Sequence, residues 1–169
     1  ETFLTQIKAG PRSSMLFKGT GKADKVLEVN QTDLYPPEAL AAFTIKDGLV
    51  ALDKDSRINP LGSATHISLT NSKFTNIPPA IPTDPPLHRG FTTFGQVNLK
   101  IDDCVFEYGK YGIYSVNTYS GAPIKVTNST FQYCDIGMMT YDVGATLEDV
   151  TFLNNNYGWN ANGMSACKT

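Results

Sequence analysis

The chain holds 169 residues, room for one folding unit with a sizeable core and not for two independent domains. Its 14 Lys and Arg against 16 Asp and Glu give a formal charge of −2, so no global positive field exists to hold nucleic acid or an anionic membrane. With 18% charged, 41% hydrophobic and 11% aromatic residues, and with 14 Gly and 10 Pro, the composition argues against disorder and coiled coil and fits a turn-rich all-β protein.

The opening Glu1-Thr2-Phe3 carries no signal-peptide pattern, and no run approaches the roughly 18 apolar residues that span a bilayer. A soluble chain, already processed or cut from something longer, is expected. Met15–Gly21, Val26–Val29 and Phe43–Gly48 read as short apolar strands. The stretch from Pro36 to Ala42 is the one place suited to a turn or two of helix. Asn30-Gln-Thr32, and later Asn128-Ser-Thr130, match the N-glycosylation pattern. His66 begins a strand beside Ile67 and reads as structural.

From here a repeat takes over. Aligning Asn71-Ser-Lys-Phe74, Asp103-Cys-Val-Phe106, Asn128-Ser-Thr-Phe131 and Asp149-Val-Thr-Phe152 brings many other positions into register. Seven and five residues before each Phe stand Ile67/Leu69, Leu99/Ile101, Ile124/Val126 and Ala145/Leu147, with polar residues between them. That alternation is a strand with one face buried. Asn or Asp falls three before each Phe, where its side chain suits a bend. Six after it falls Gly112, Gly137 or Gly158, followed by Ile113, Met138 or Trp159. These glycines are expected to serve a corner that needs φ > 0. The first repeat departs, with Ala80 in the glycine position.

The repeat runs 32 residues from Phe74 to Phe106, 25 to Phe131 and 21 to Phe152, near the length of a solenoid rung of three short strands. Such a rung cannot bury its own apolar face and must stack on its neighbours. An antiparallel sandwich is the competing architecture. Sandwiches do not usually repeat Asn, Phe and Gly at fixed offsets, and hairpin signals between the strands are sparse.

On these residues the chain resembles the right-handed parallel β-helix repeat family of pectate-lyase-like and tailspike-like solenoids, as a non-catalytic member or fragment. The resemblance covers residues 65–165. It implies one all-β domain over 1–169, a right-handed parallel β-helix with about four regular rungs over 65–169. A Pro-rich loop is inserted at 77–96, and irregular early rungs over 1–64 do not share the register. One rung, Tyr111-Gly-Ile-Tyr114-Ser-Val116, resembles that of β-helix alginate epimerases and lyases, which carry Tyr-Gly-apolar-Asp-Pro-His. Tyr114 and Val116 replace the Asp and His, so that activity is not carried over. The three aspartates, His and Arg-x-Lys of β-helix pectin hydrolases are also missing.

Columns define candidate sites in a solenoid, because equivalent offsets stack about 4.8 Å apart. One outward face carries Lys100 and Lys125 beside Asp102 and Glu148, suited to Ca²⁺ or to acid/base work on an acidic polysaccharide, or else to plain cross-rung charge pairing. No other cofactor is called for. Lys110 and Asp135 form another expected cross-rung pair. In the Pro-rich loop His88 could carry a proton and Arg89 could grip a carboxylate; the plain alternative is a stiff solvated loop. Tyr108 and Tyr133 share a column, and Tyr114, Tyr119, Tyr141 and Trp159 lie near the recurring glycines. Exposed, they would stack on sugar rings. Tyr111 and Tyr157 share a column that suits stacked core equally well. Cys104, Cys134 and Cys167 fit no metal spacing and read as free thiols or at most one disulfide.

The residues from Asn160 to Thr169 look like the start of a further rung without an amphipathic cap, so self-association or packing on neighbouring β-helix segments is expected. Two functions follow. The first is an extracellular structural or adhesive module of a surface protein, fibre or filament, contacting glycans through its tyrosines. The second is a tailspike-like polysaccharide lyase or glycoside hydrolase using His88, Arg89, Lys100, Lys125, Asp102 and Glu148. Extracellular placement rests on fold analogy.

Overall fold

The computed structural model describes residues 14–30, 33–34, 40–53, 56–58, 64–76, 91–94, 98–116, 124–141 and 143–162. Among them every regular element is a strand, and the strands come in threes. The first rung holds β1 (Ser14–Lys18), β2 (Lys25–Val29) and β3 (Asp33–Leu34); the second holds β4 (Leu40–Lys46), β5 (Leu49–Leu52) and β6 (Arg57–Ile58). The third holds β7 (Ala64–Thr70), β8 (Lys73–Asn76) and β9 (Phe91–Phe94), and the fourth β10 (Asn98–Asp102), β11 (Val105–Glu107) and β12 (Tyr111–Val116). The fifth holds β13 (Ile124–Thr127), β14 (Thr130–Gln132) and β15 (Ile136–Tyr141), and the sixth β16 (Ala145–Glu148), β17 (Thr151–Leu153) and β18 (Tyr157–Asn162).

The first strands of all rungs pair in parallel as one six-stranded sheet, β1-β4-β7-β10-β13-β16, here sheet A; the second strands make sheet B and the third strands sheet C. The chain is therefore a parallel β-helix. Register follows the repeat: Phe43, Ile67 and Leu99 align in one column, Phe74, Phe106, Phe131 and Phe152 in another. The alternating residues Phe43/Ile45, Ile67/Leu69, Leu99/Ile101 and Ile124/Val126 point inward and are buried. Each such side chain contributes roughly 1.5–3 kcal/mol on leaving water. Phe74, Phe106, Phe131 and Phe152 form a continuous stack, with centroids 4.7, 4.9 and 5.3 Å apart.

From the second rung on, the corner between sheets A and B is two residues wide. Asp47, Asn71, Asp103, Asn128 and Asp149 all lie in the left-handed region, with φ between 43° and 53°. Asn and Asp tolerate that conformation best among residues with a Cβ. Immediately after them Ser72 and Ser129 turn inward and donate their hydroxyls to the carbonyls of Thr70 and Thr127 at 2.7 Å. Cys104 fills the same position between them, its thiol 3.3 Å from the Asp102 carbonyl. From the second rung on, the inward residues flanking this corner are always five apart, as in Ile45/Val50 and Val126/Phe131.

Four expectations need correction. Leu40–Ala42 opens strand β4 instead of a helix, because pairing on both sides with β1 and β7 outweighs the weak helical preference of Ala and Leu. The second rung does share the common register: Asp47 occupies the bend, and Val50 pairs with Phe74 in the phenylalanine column. Both markers are missing there, with Val50 in place of the ring and Arg57 in place of the glycine. The insertion is shorter than 77–96, since Phe91–Phe94 is the third strand of its rung, with Phe91 in register with Ile113. The Gly-apolar pair of that rung is thus Gly90-Phe91, displaced along the chain.

The recurring glycines also have a different cause. Gly112, Gly137 and Gly158 do not have positive φ. A methyl group at Gly112 would stand 2.6 Å from Cδ1 of Phe131 and 2.5 Å from the Gly137 carbonyl oxygen. At Gly137 the same two neighbours are Phe152 Cδ1 at 2.8 Å and the Gly158 oxygen at 2.7 Å. Glycine is required so that each phenylalanine ring can lie on the backbone of the preceding rung.

Candidate functional site

The bend between sheets B and C falls two residues after Phe106, Phe131 and Phe152. There Tyr108, Tyr133 and Asn154 have φ of 62°, 54° and 53°. Asn is an ordinary occupant of the left-handed region, but a bulky aromatic residue pays about 1–2 kcal/mol for it. The two tyrosine rings stack face to face, centroids 5.3 Å apart and 8° from parallel, and Tyr133 is 46% exposed. The columnar stacking expected of Tyr108 and Tyr133 is therefore present, and the strain that accompanies it was not foreseen.

Beyond the bend, Ile113 and Ser115 of β12 are buried while Tyr114 lies on the opposite, outer face of sheet C. Its ring is 5.1 Å from that of Tyr111 and 6.2 Å from that of Tyr141. The Lys110 ammonium sits 5.8 Å from the Tyr111 centroid. Five tyrosines of the fourth and fifth rungs thus make two adjoining clusters around one corner. Not every aromatic belongs to them. Trp159 packs against the core and donates its indole N–H to the Thr140 hydroxyl at 3.1 Å. Tyr111 and Tyr157 do not stack as core, because Ile136 lies between them in register and Tyr157 is exposed. Tyr119 lies outside the described residues.

Lys100, Lys125, Asp102 and Glu148 do come together on the outer face of sheet A, all exposed, with Lys100 beside Lys125 and with Asp102, Thr127 and Glu148 in one column. Asp102 accepts hydrogen bonds from the Thr127 hydroxyl at 2.6 Å and the Asn128 amide at 3.0 Å. Those bonds, with a smaller contribution from Lys125, hold its carboxyl below the usual range. Among the described residues no ion pair joins this face: the bridges are Lys22–Asp103, Lys25–Glu28 and Lys73–Glu107. Lys110 and Asp135 are not an ion pair either. Lys110 turns to Tyr111, and Asp135 accepts from the Asn156 amide at 2.9 Å. His88 and Arg89 lie outside the described residues.

One polar cluster escaped the sequence reading. Glu107, on the outer side of sheet B yet only 6% exposed, accepts from Lys73 at 2.7 Å and from the Gln132 amide at 2.8 Å. Lys73 immediately precedes Phe74, while Glu107 and Gln132 immediately follow Phe106 and Phe131. The flanks of the phenylalanine column therefore carried the signal. Nearby, the buried Asn76 side-chain oxygen has no hydrogen-bond partner among the described residues.

Cys104 and Cys134 are free thiols, and burial pushes them up to about 12 and about 11. Thiols held so far from ionisation are poor nucleophiles and poor metal ligands. Cys167 lies outside the described residues. Among the described residues no three His, Cys, Asp or Glu side chains gather to hold a metal ion, and no helix is long and apolar enough to cross a membrane. No protein-family model, no curated protein and no solved structure matches this chain.

Proposed function

We propose that this chain is an extracellular structural or adhesive β-helix module of a surface protein, fibre or filament, akin to the pectate-lyase-like and tailspike-like solenoids, and that it contacts glycans through its tyrosines. One observation carries the reading: Tyr108 and Tyr133 stack, half-exposed, in a backbone conformation that Asn would hold at lower cost. Backbone strain of this kind persists where something other than stability keeps the residue. A stacked, solvent-facing pair presents a flat apolar surface matched to the C–H face of a sugar ring, with phenolic hydroxyls at its edge for the ring hydroxyls. Tyr114 and Tyr141 extend the surface around the corner. A parallel solenoid supplies the rigid scaffold on which such a surface keeps its shape. Placement outside the cell and association with neighbouring β-helix segments belong to the same proposal, by fold analogy.

The test is binding of the intact chain to immobilised neutral and acidic polysaccharides, compared with Tyr133→Ala and Tyr114→Ala. Saturable binding that either substitution weakens at least tenfold supports the reading. Binding to no glycan, or binding indifferent to both substitutions, removes it.

A second reading, a polysaccharide lyase or glycoside hydrolase acting on an acidic polysaccharide, has one observation in its favour. Lys100 and Lys125 stand side by side in register on an exposed face, as an anionic chain would require. Incubation with acidic polysaccharides, followed by assay of new reducing ends and of ultraviolet absorbance from unsaturated ends, decides it.

A further inference from the structure

The first rung rounds the corner between sheets A and B by a longer route than the others. Phe17 is in register with Ile45 and Leu27 with Val50, so ten residues separate the flanking inward positions where the later rungs use five. The added residues form a loop, 19–24, laid on the bend of the second rung. Gly19 and Gly21 donate their N–H groups to the Lys46 and Asp47 carbonyls at 3.0 and 2.8 Å, and Leu49 of the second rung donates to the Asp24 carbonyl at 2.7 Å. Within the loop the Asp24 carboxylate accepts from the Thr20 N–H at 2.9 Å and from the Thr20 hydroxyl at 3.2 Å. A methyl group at Gly19 would stand 2.4 Å from the Asp47 carbonyl oxygen, so the loop is pressed against that rung.

From this platform Lys22 reaches the fourth rung. Its ammonium lies 2.5 Å from Oδ1 of Asp103, 81 residues away in the sequence. The bends of the two intervening rungs are Asp47 and Asn71, and these are bound to each other, the Asn71 amide donating to the Asp47 carboxylate at 2.8 Å. Side-chain bonds elsewhere join adjacent rungs, as Lys73 joins Glu107 and Asn156 joins Asp135. The stability of a solenoid is normally a sum of rung terms and nearest-neighbour interface terms. A bond from the first rung to the fourth is of another kind. Whichever of the three interfaces between them parts along this edge, Lys22 has to leave Asp103.

We propose that the 19–24 loop and Lys22 form a clasp that adds the same increment of stability to three successive interfaces and makes the first four rungs open as one unit. The third rung shows what the clasp secures. That rung carries the insertion, with Phe91 seventeen residues after Phe74 where the later rungs need seven. Its corner between sheets B and C is therefore stretched, while an ion pair on the opposite side of sheet B ties together the rungs below and above it. Load taken up by the inserted segment is then shared by four rungs instead of one interface. The proposal uses none of the tyrosines and stands apart from glycan contact.

Native-state hydrogen exchange of the intact chain, compared with Lys22→Met, Asp103→Asn and the double variant, reads the clasp directly. Asn holds the same bend at positions 71 and 128, so Asp103→Asn keeps the corner. Amides of β4, β5, β7 and β8 are expected to exchange about threefold faster in each single variant, the loss that an exposed ion pair allows. The factor should be the same in the second and third rungs, and the double variant should be no faster than either single one. Raising the salt to screen the pair should bring the wild-type chain to the rates of the variants and leave the double variant unchanged. Acceleration confined to residues 19–24 would make the pair an ordinary local contact and overturn the proposal. Unchanged rates in both single variants, or effects that add in the double variant, overturn it as well.

Discussion

The ring of Phe131 rests on the α-carbon of Gly112, with Cδ1 at 2.6 Å from where a methyl group would stand. Adding that methyl forces the phenylalanine stack apart or displaces the Gly137 carbonyl. Gly112→Ala and Gly137→Ala should each cost about 1–3 kcal/mol, the usual range for overpacking a filled core. Gly158→Ala, whose nearest neighbour is at 3.2 Å, should cost less than about 1 kcal/mol. Urea unfolding of the three variants checks the order.

Tyr133→Asn tests why an aromatic occupies a left-handed bend. The substitution removes a ring stack worth about 0.5–1.5 kcal/mol and relieves about 1–2 kcal/mol of backbone cost. Stability should therefore stay within about 1 kcal/mol of wild type while glycan binding is lost. A large fall in stability in the same denaturation assay would mean that the ring is held for packing.

The buried carboxylate of Glu107 is asymmetric in its dependence on partners. Lys73→Ala strands a desolvated charge, with a cost of about 3 kcal/mol, whereas Glu107→Ala leaves a lysine that can turn to water, with a cost of about 1–2 kcal/mol. A double-mutant cycle by thermal or chemical unfolding measures the coupling.

The cysteines set an alkaline limit. Their folded-state values, raised by burial to about 12 for Cys104 and about 11 for Cys134, lie above those of exposed thiols. The native state thus binds protons that the unfolded chain releases. The associated stability is complete below the exposed-thiol range near 8.5, and declines as pH rises toward the folded values. Melting temperatures should fall between about pH 8.5 and 11, less steeply in Cys104→Ser. That variant should otherwise fold normally, because Ser72 and Ser129 occupy the same inward corner position on the rungs either side. Alkylation mapped by mass spectrometry at pH 8 should leave Cys104 and Cys134 unmodified until denaturant is added.

Much of the architecture was legible because the solenoid writes its contacts at fixed offsets. Alternation before each Phe gave sheet A, and the recurring Asn or Asp gave the first bend. The second rung escaped because Val50 stands where a ring marks the others, and the third strand of the third rung because Gly90-Phe91 is displaced by the insertion. The glycines were found but assigned to backbone conformation, since contact with a ring one rung away is invisible in a one-dimensional pattern. The positive φ they were expected to supply falls instead on Asp, Asn and two tyrosines. Of the candidate surfaces, the tyrosine column was readable from spacing alone. The ion pairing of the charged faces was not, because Asp102 and Asp135 take amide or hydroxyl donors within reach and leave the lysines to other surroundings.

The five-residue interval across the sheet A–B corner, constant from the second rung on, contrasts with the interval across the corner between sheets B and C. From Phe106, Phe131 and Phe152 the inward residue of sheet C is seven on, at Ile113, Met138 and Trp159, but from Phe74 the strand residue in register with Ile113 is Phe91, seventeen on. From the second rung on, one edge of the prism thus serves as a gauge that keeps successive cross-sections alike there, and the insertion after Phe74 falls on another edge. Segments grafted there would alter what the solenoid displays without shifting any inward side chain, so display and scaffold can be changed separately.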